Sequence, residues 1–261
     1  MIIRLFKKDV KDITKVTKYM CLVSLFFACL TRLCKLADHI QIFNILVLIF
    51  SNTTYALLIN VFINATLGIL RIFIISFYKD PSYLTHTLPV TKTELLTSKY
   101  LASFSVIISS ILVAVLSLFV IFVSKDLFST LKTFFSASIP GFSISVALFG
   151  ILLVLLIILQ LFSYNAMAFT AIIKGNQSNR KKAGKSVIWF AIFYFVSMIF
   201  VFLCAIIALS IGGKVGELFG EVISGNALLT IVISTLIANA ILTTLFIFIS
   251  LKEFNKGVNV D

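Results

Sequence analysis

Six apolar stretches, at about 19–37, 41–76, 100–124, 139–173, 187–211 and 226–251, decide what this chain can fold into. A helix needs about 20 predominantly apolar residues to cross a bilayer, and all six meet or approach that length. The first is the shortest, and Arg32 and Lys35 near its far end must snorkel toward water. The second and fourth run to roughly 35 residues, over 50 Å as helix, so they either project beyond the bilayer or are broken. Pro140 and Gly141 mark the start of the fourth. The rest of the composition agrees. Of 261 residues, 60% are hydrophobic and only 12% are charged, against about 25% charged in a soluble domain. The alternating ten-residue strands of a membrane barrel are not seen. The expected fold is all-α, a polytopic membrane protein with six transmembrane helices.

The net charge of +12 would suggest nucleic acid in a soluble protein. Here its distribution points to topology. With the N-terminus inside, the inner segments hold sixteen Lys and Arg and the outer segments hold five, with Arg71 inside the second span. The positive-inside rule then places both termini in the cytoplasm. The basic leader is too long for a signal peptide and no small-residue cleavage site follows, so the first span is expected to stay. The layout is an N-terminal segment 1–18, a transmembrane domain 19–251 and a cytoplasmic tail 252–261.

Segment 1–18 is patterned. On a helical wheel Ile2, Ile3, Leu5, Phe6, Val10, Ile13 and Val16 fall within about 160°, with Arg4, Lys7, Lys8, Lys11, Lys15 and Lys18 within about 100° on the other side. This reads as an amphipathic interfacial helix, its basic face toward anionic lipid headgroups.

Catalytic and metal motifs fail on spacing. Gly184-Lys185-Ser186 resembles the end of a phosphate-binding loop, but that loop needs a glycine where Asn179 stands and a strand before it. His39 and His86 are far apart, and Glu94, Glu217, Glu221 and Glu253 are scattered. Gly141-Phe142-Ser143-Ile144-Ser145 lacks the closing glycine of a nucleophile elbow. Cys21, Cys29, Cys34 and Cys204 have no metal-ligand spacing and read as small hydrophobes. No catalytic residue, metal or cofactor is expected on the chain itself, which is not expected to be an enzyme. All ten Asp and Glu lie outside the proposed spans. Proton-coupled carriers usually hold a carboxylate at membrane depth, so the energy source is expected elsewhere.

Polar residues inside the spans fall in stripes. Thr53, Asn60, Asn64 and Arg71 lie within about 40° of one another on the second span. Thr235, Asn239 and Thr243 follow helical spacing on the sixth. Ser103, Ser110, Ala114 and Ser117 make a small-residue face on the third. Such residues either bind helices together, at about 0.6 kcal/mol per hydrogen bond, or line a substrate path. Thr53, Asn60, Asn64 and Arg71 are the path candidates.

The stretch from Phe77 to Lys99 carries the strongest local signal. Pro81 and Pro89 disfavour helix at the residues before them. Thr91-x-x-Glu94 is a capping box that opens a helix into the third span. Between them lies a short shaped turn with exposed Tyr, Leu and Val, which calls for a partner. Its residues Tyr83-Leu84-Thr85, Thr87-Leu88-Pro89-Val90, Leu95-Leu96 and Ser98-Lys99 resemble the signature of bacterial ABC transporter permeases of the type-2 exporter class, as in Gram-positive peptide and antibiotic exporters. Pro81-Ser82 replaces the usual acidic-Gly turn, and His86 stands where Phe is common. The similarity covers about 23 residues, and the six-span layout agrees with it.

The resemblance implies a multi-pass subunit of a bacterial plasma membrane that forms the translocation path. It implies a dimer with a second copy or a paralogue, docked on cytosolic ABC ATP-binding subunits that hold ATP and Mg. Carried over by motif position, Tyr83, Leu84, Leu88, Pro89 and Glu94 are the ATPase-coupling residues. The expected cargo is amphipathic or hydrophobic, a small toxin or antimicrobial peptide. No nucleic acid is expected; membrane lipid is. Two alternatives remain open on the sequence: an ion-coupled carrier without an ATPase, and a non-transporting scaffold or immunity subunit.

Overall fold

The computed structural model describes residues 2–36, 39–78, 90–123, 132–133, 145–178, 181–219 and 223–256. Among them six long helices form: α1 (Ile2–Lys35), α2 (Gln41–Tyr78), α3 (Lys92–Phe122), α4 (Val146–Asn176), α5 (Lys182–Ile211) and α6 (Gly225–Asn255). A short 3-10 turn, Val215–Phe219, precedes α6. All six helices are long and apolar enough to cross a membrane, as a multi-pass membrane protein requires. Helices satisfy their own backbone polar groups, which hydrocarbon demands.

Two compact units divide the chain, 1–127 and 128–261, with three long helices in each.

In the first unit α1 packs on α2 and α3. Segment 1–18 and the first span are one unbroken helix of 34 residues. No Pro or Gly interrupts it, so at about 1.5 Å per residue it extends about 50 Å. Its buried residues Asp9, Ile13, Thr17, Ser24, Ala28, Thr31 and Cys34 follow one face from end to end. Ser103, Ser110 and Ser117 of α3 are also buried. Small side chains on both helices permit close backbone approach. Gly68 of α2 serves the same purpose, because a Cβ there would sit 3.3 Å from the carbonyl oxygen of Ile13. Far along α1, Lys35 does more than snorkel. Its Nζ donates to the carbonyl of Ile121 at 2.9 Å, where the last turn of α3 leaves carbonyls unpaired.

The second span, α2, is continuous over 38 residues. The fourth, expected from 139, begins as α4 at Val146, where the Ser145 hydroxyl accepts from the Leu148 amide. Residues 139–144 lie outside the described set.

In the second unit α4, α5 and α6 pack on one another. The Thr170 hydroxyl of α4 donates to the carbonyl of Phe246 on α6 at 3.0 Å. A Cβ at Gly175 would fall on Ser186, which holds the start of α5 against the end of α4. This accounts for the Gly184-Lys185-Ser186 sequence: Ser186 lies in the opening turns of α5, its hydroxyl donating to Lys182 at 3.0 Å. Lys174 Nζ lies 4.5 Å from the centroid of the Trp189 ring, a cation–π contact between α4 and α5. Before α6, the Glu217 carboxylate accepts from the Ser224 amide at 2.9 Å, and the Ser224 hydroxyl caps the helix.

Candidate functional site

The candidate site is the end of the first unit from which residues 79–89 depart. It is built from the start of α3 backwards. Thr91 has extended backbone geometry (φ −72°, ψ 151°). Its hydroxyl accepts from the Glu94 amide at 3.3 Å, and its own amide donates to Glu94 Oε2 at 2.9 Å. This is the capping box expected from Thr91-x-x-Glu94, and it fixes where the helix begins.

One to two turns later Leu95, Leu96, Ser98, Lys99 and Tyr100 are buried. Lys99 Nζ donates to Asp9 Oδ1 at 2.5 Å and to Ser76 Oγ at 2.8 Å. Ser98 Oγ donates to Asp9 Oδ2 at 2.8 Å. The Phe77 ring centroid is 5.7 Å from Lys99 Nζ, and Phe77 meets Phe73 edge-on. Asp9 and Lys99 are each only 6% exposed. Both carboxylate oxygens are therefore occupied, and the ammonium has a carboxylate, a hydroxyl and an aromatic face. A buried charge pair is tolerable only when satisfied in this way.

The cluster joins α1 through Asp9, α2 through Ser76 and Phe77, and α3 through Ser98 and Lys99. Residues 79–89 connect α2 to α3 in the chain, so the two helices on either side of that stretch are tied to each other and to α1 by one buried knot. Asp9 escaped the sequence reading, although it was visible there. At 100° per residue it falls within the apolar arc of segment 1–18, not among the lysines. A carboxylate on an apolar face signals a buried partner.

Of the coupling candidates, Glu94 is half-buried and serves as the capping-box partner of Thr91 at the start of α3. Tyr83, Leu84, Leu88 and Pro89 lie outside the described residues. Of the path candidates, Asn64 and Arg71 line a groove of about 380 Å³ between α1 and α2, with Asp12, Lys15 and Gly68. Asp12 and Lys15 pair at 2.9 Å. Arg71 is exposed and has no hydrogen-bond or ion-pair partner among the described residues. Thr53 and Asn60 are not in that groove. The stripe's hydrogen bonds run back along its own helix: Thr53 to Ile49 at 2.8 Å, Asn60 to Ala56 at 3.2 Å and Asn64 to Asn60 at 2.9 Å. The structure thus brings together two of the four path candidates.

Among the described residues no three His, Cys, Asp or Glu side chains come together in a metal-ligating group. No family model, curated protein or solved structure matches the chain.

Proposed function

We propose that this chain is the membrane-spanning permease subunit of an ATP-driven ABC exporter, coupled to a separate ATP-binding subunit. The single observation that carries the reading is the place of Ser98 and Lys99 in the buried cluster on Asp9. The exporter-like motif ends in Ser98-Lys99, and those two residues are the ones that engage Asp9. A loop that receives force from a partner needs a stiff root, and the knot supplies one.

In this reading residues 79–89 dock on the ATPase from the cytoplasm, using Tyr83, Leu84, Leu88 and Pro89, with Glu94 at the edge. ATP and Mg bind to the partner. Closure of two ATPase subunits displaces the docked loops, and the knot passes that displacement to α1, α2 and α3 together. A second permease, a copy or a paralogue, completes the path. Nucleotide shifts the equilibrium between two cavity shapes by binding one state better. The basic face of α1 lies toward anionic headgroups, and the cargo is an amphipathic peptide.

The test is co-purification. The tagged chain is extracted gently from its native membrane, and co-purifying proteins are identified. The expected result is a P-loop ATP-binding protein that is lost from Leu88→Ala or Pro89→Ala variants. Its absence under conditions that preserve other membrane complexes would remove the energy source and leave an ion-coupled carrier as the reading to test.

A further inference from the structure

The second unit has an open cavity of about 350 Å³ between α4, α5 and α6. It lies near the middle of each helix, the part that a membrane-crossing helix of this length would hold in hydrocarbon. Among the described residues no charged side chain lines it. Its hydrogen-bonding groups come from Gln160, Ser163 and Tyr164 on α4, Ser197 on α5, and Thr235 and Asn239 on α6. The remaining wall is apolar and aromatic.

Polar side chains at this depth ordinarily bond to their own backbone or to a neighbouring helix. Several here do neither. Ser163 is only 5% exposed, and its hydroxyl has no partner among the described residues. Ser197 Oγ is buried and also unpartnered. The Thr235 hydroxyl is likewise unused among the described residues. The bonds that do form stay within one helix: Gln160 Nε2 donates to Tyr164 Oη at 2.7 Å, and Asn239 Nδ2 donates to the Thr235 carbonyl at 2.9 Å. Among the described residues none crosses the cavity. Elsewhere in the unit a hydrogen bond does join two helices, from Thr170 to Phe246. Tyr164 meets Tyr194 of α5 through its ring, at 6.2 Å between centroids, but among the described residues these polar groups form no hydrogen bond between helices, and a buried hydroxyl without a partner is costly to keep.

We propose that this cavity binds a neutral amphipathic ligand, an uncharged peptide segment whose amides and hydroxyls engage Ser163, Ser197, Thr235 and Asn239. Peptide groups offer both a donor and an acceptor, which matches hydroxyls and a carboxamide. A charged ligand would lose its hydration and find no counter-charge. The volume falls within the range of small-molecule sites. The proposal deepens the export reading and rests on it for the ligand's role as cargo, although binding itself needs no ATPase.

The test uses the full chain in lipid nanodiscs with no other protein. The probe is an end-blocked fluorescent pentapeptide of Leu, Phe, Ser and Asn, compared with the same peptide carrying a central Lys or Asp. Saturable binding of the neutral probe is expected, at least about tenfold tighter than either charged one. Ser163→Ala and Asn239→Ala are each expected to weaken it about fivefold, the loss of one hydrogen bond. Ala205→Phe, which fills the cavity, is expected to abolish it, and Thr244→Ala, on an exposed position outside it, to leave it unchanged. Retained helicity and a single size-exclusion peak identify the folded variants, and Ser163→Ala and Ala205→Phe test the site independently of Asn239. Non-saturable partition into lipid, equal affinity for charged probes, or undiminished binding to Ala205→Phe would overturn the proposal. Failed probe binding with a co-purifying ATPase removes this site and leaves the export reading. Probe binding without an ATPase does the reverse.

Discussion

Asp9 and Lys99 stand ninety residues apart in the chain and meet as a buried ion pair, with Ser98 on the second carboxylate oxygen and Ser76 on the ammonium. The pair sets three helices in register at one end of the first unit. Removal of either partner leaves a charge in a place that cannot hydrate it. Asp9→Ala or Lys99→Ala is therefore expected to destabilise the first unit by about 3–5 kcal/mol, while Asp9→Leu with Lys99→Met loses much less. A double-mutant cycle of unfolding in mild detergent measures this. Additive losses in the cycle would mean the two residues do not act as a pair.

The capping box is weaker and more local. Thr91→Ala is expected to cost about 1 kcal/mol, typical of a lost N-cap. Amide exchange should rise in the first turn of α3, at residues 93–95, and remain slow at Val106 and beyond. Uniformly faster exchange along α3 would show that the cap holds more than its own turn.

Two glycines nine residues apart should respond in opposite directions. A Cβ at Gly175 meets Ser186, so Gly175→Ala forces α4 and α5 apart and should destabilise by about 1–3 kcal/mol. At Gly184 a Cβ meets nothing within 4 Å, so Gly184→Ala should stabilise the start of α5 by up to about 1 kcal/mol. Thermal unfolding of the two variants decides it. A stable Gly175→Ala protein would mean that Ser186 gives way freely.

Glu217 gives the turn before α6 its pH dependence. Hydrogen bonds from the Ser224 side chain and backbone hold its carboxyl below the usual carboxylate range. A lowered folded pKa means that the bound turn is fully favoured above the unfolded value, about 4.3. Its contribution is lost as pH falls through the lower, folded value. Limited proteolysis between residues 212 and 224 should stay slow at neutral pH and accelerate in acid below that range. Glu217→Gln should flatten the profile, and an unchanged acid response in that variant would assign the titration to another group.

The six helices were legible because apolar runs of this length in a chain with so few charges leave little else to form. The cap at Thr91 was legible because it needs only two residues three positions apart. The knot was not, since a single sequence does not say that Asp9 will meet Lys99; it showed only that Asp9 sat on the wrong face of an amphipathic wheel. The union of segment 1–18 with the first span was obscured by the lysines, which suggested a boundary at residue 18 where the backbone has no reason to break. The polar stripe on α2 was legible as an angle. That Asn64 and Arg71 face a groove with α1, while Asn60 bonds back to Ala56, depends on packing that the angle does not contain. The cavity of the second unit was half visible in the Thr235 and Asn239 spacing. Ser163 and Ser197 join it only through the packing of α4 and α5.

Residues 79–89 are proposed as the docking element for an ATP-binding subunit. Photocrosslinking in intact native membranes tests it most directly, with a photoreactive residue placed at Tyr83 or Leu88 and a control at Val215 in the turn before α6. The expected result is a light-dependent adduct between position 83 or 88 and a P-loop ATP-binding protein, absent from the control. Adducts with lipid alone at both loop positions, or the same protein captured from Val215, would contradict it.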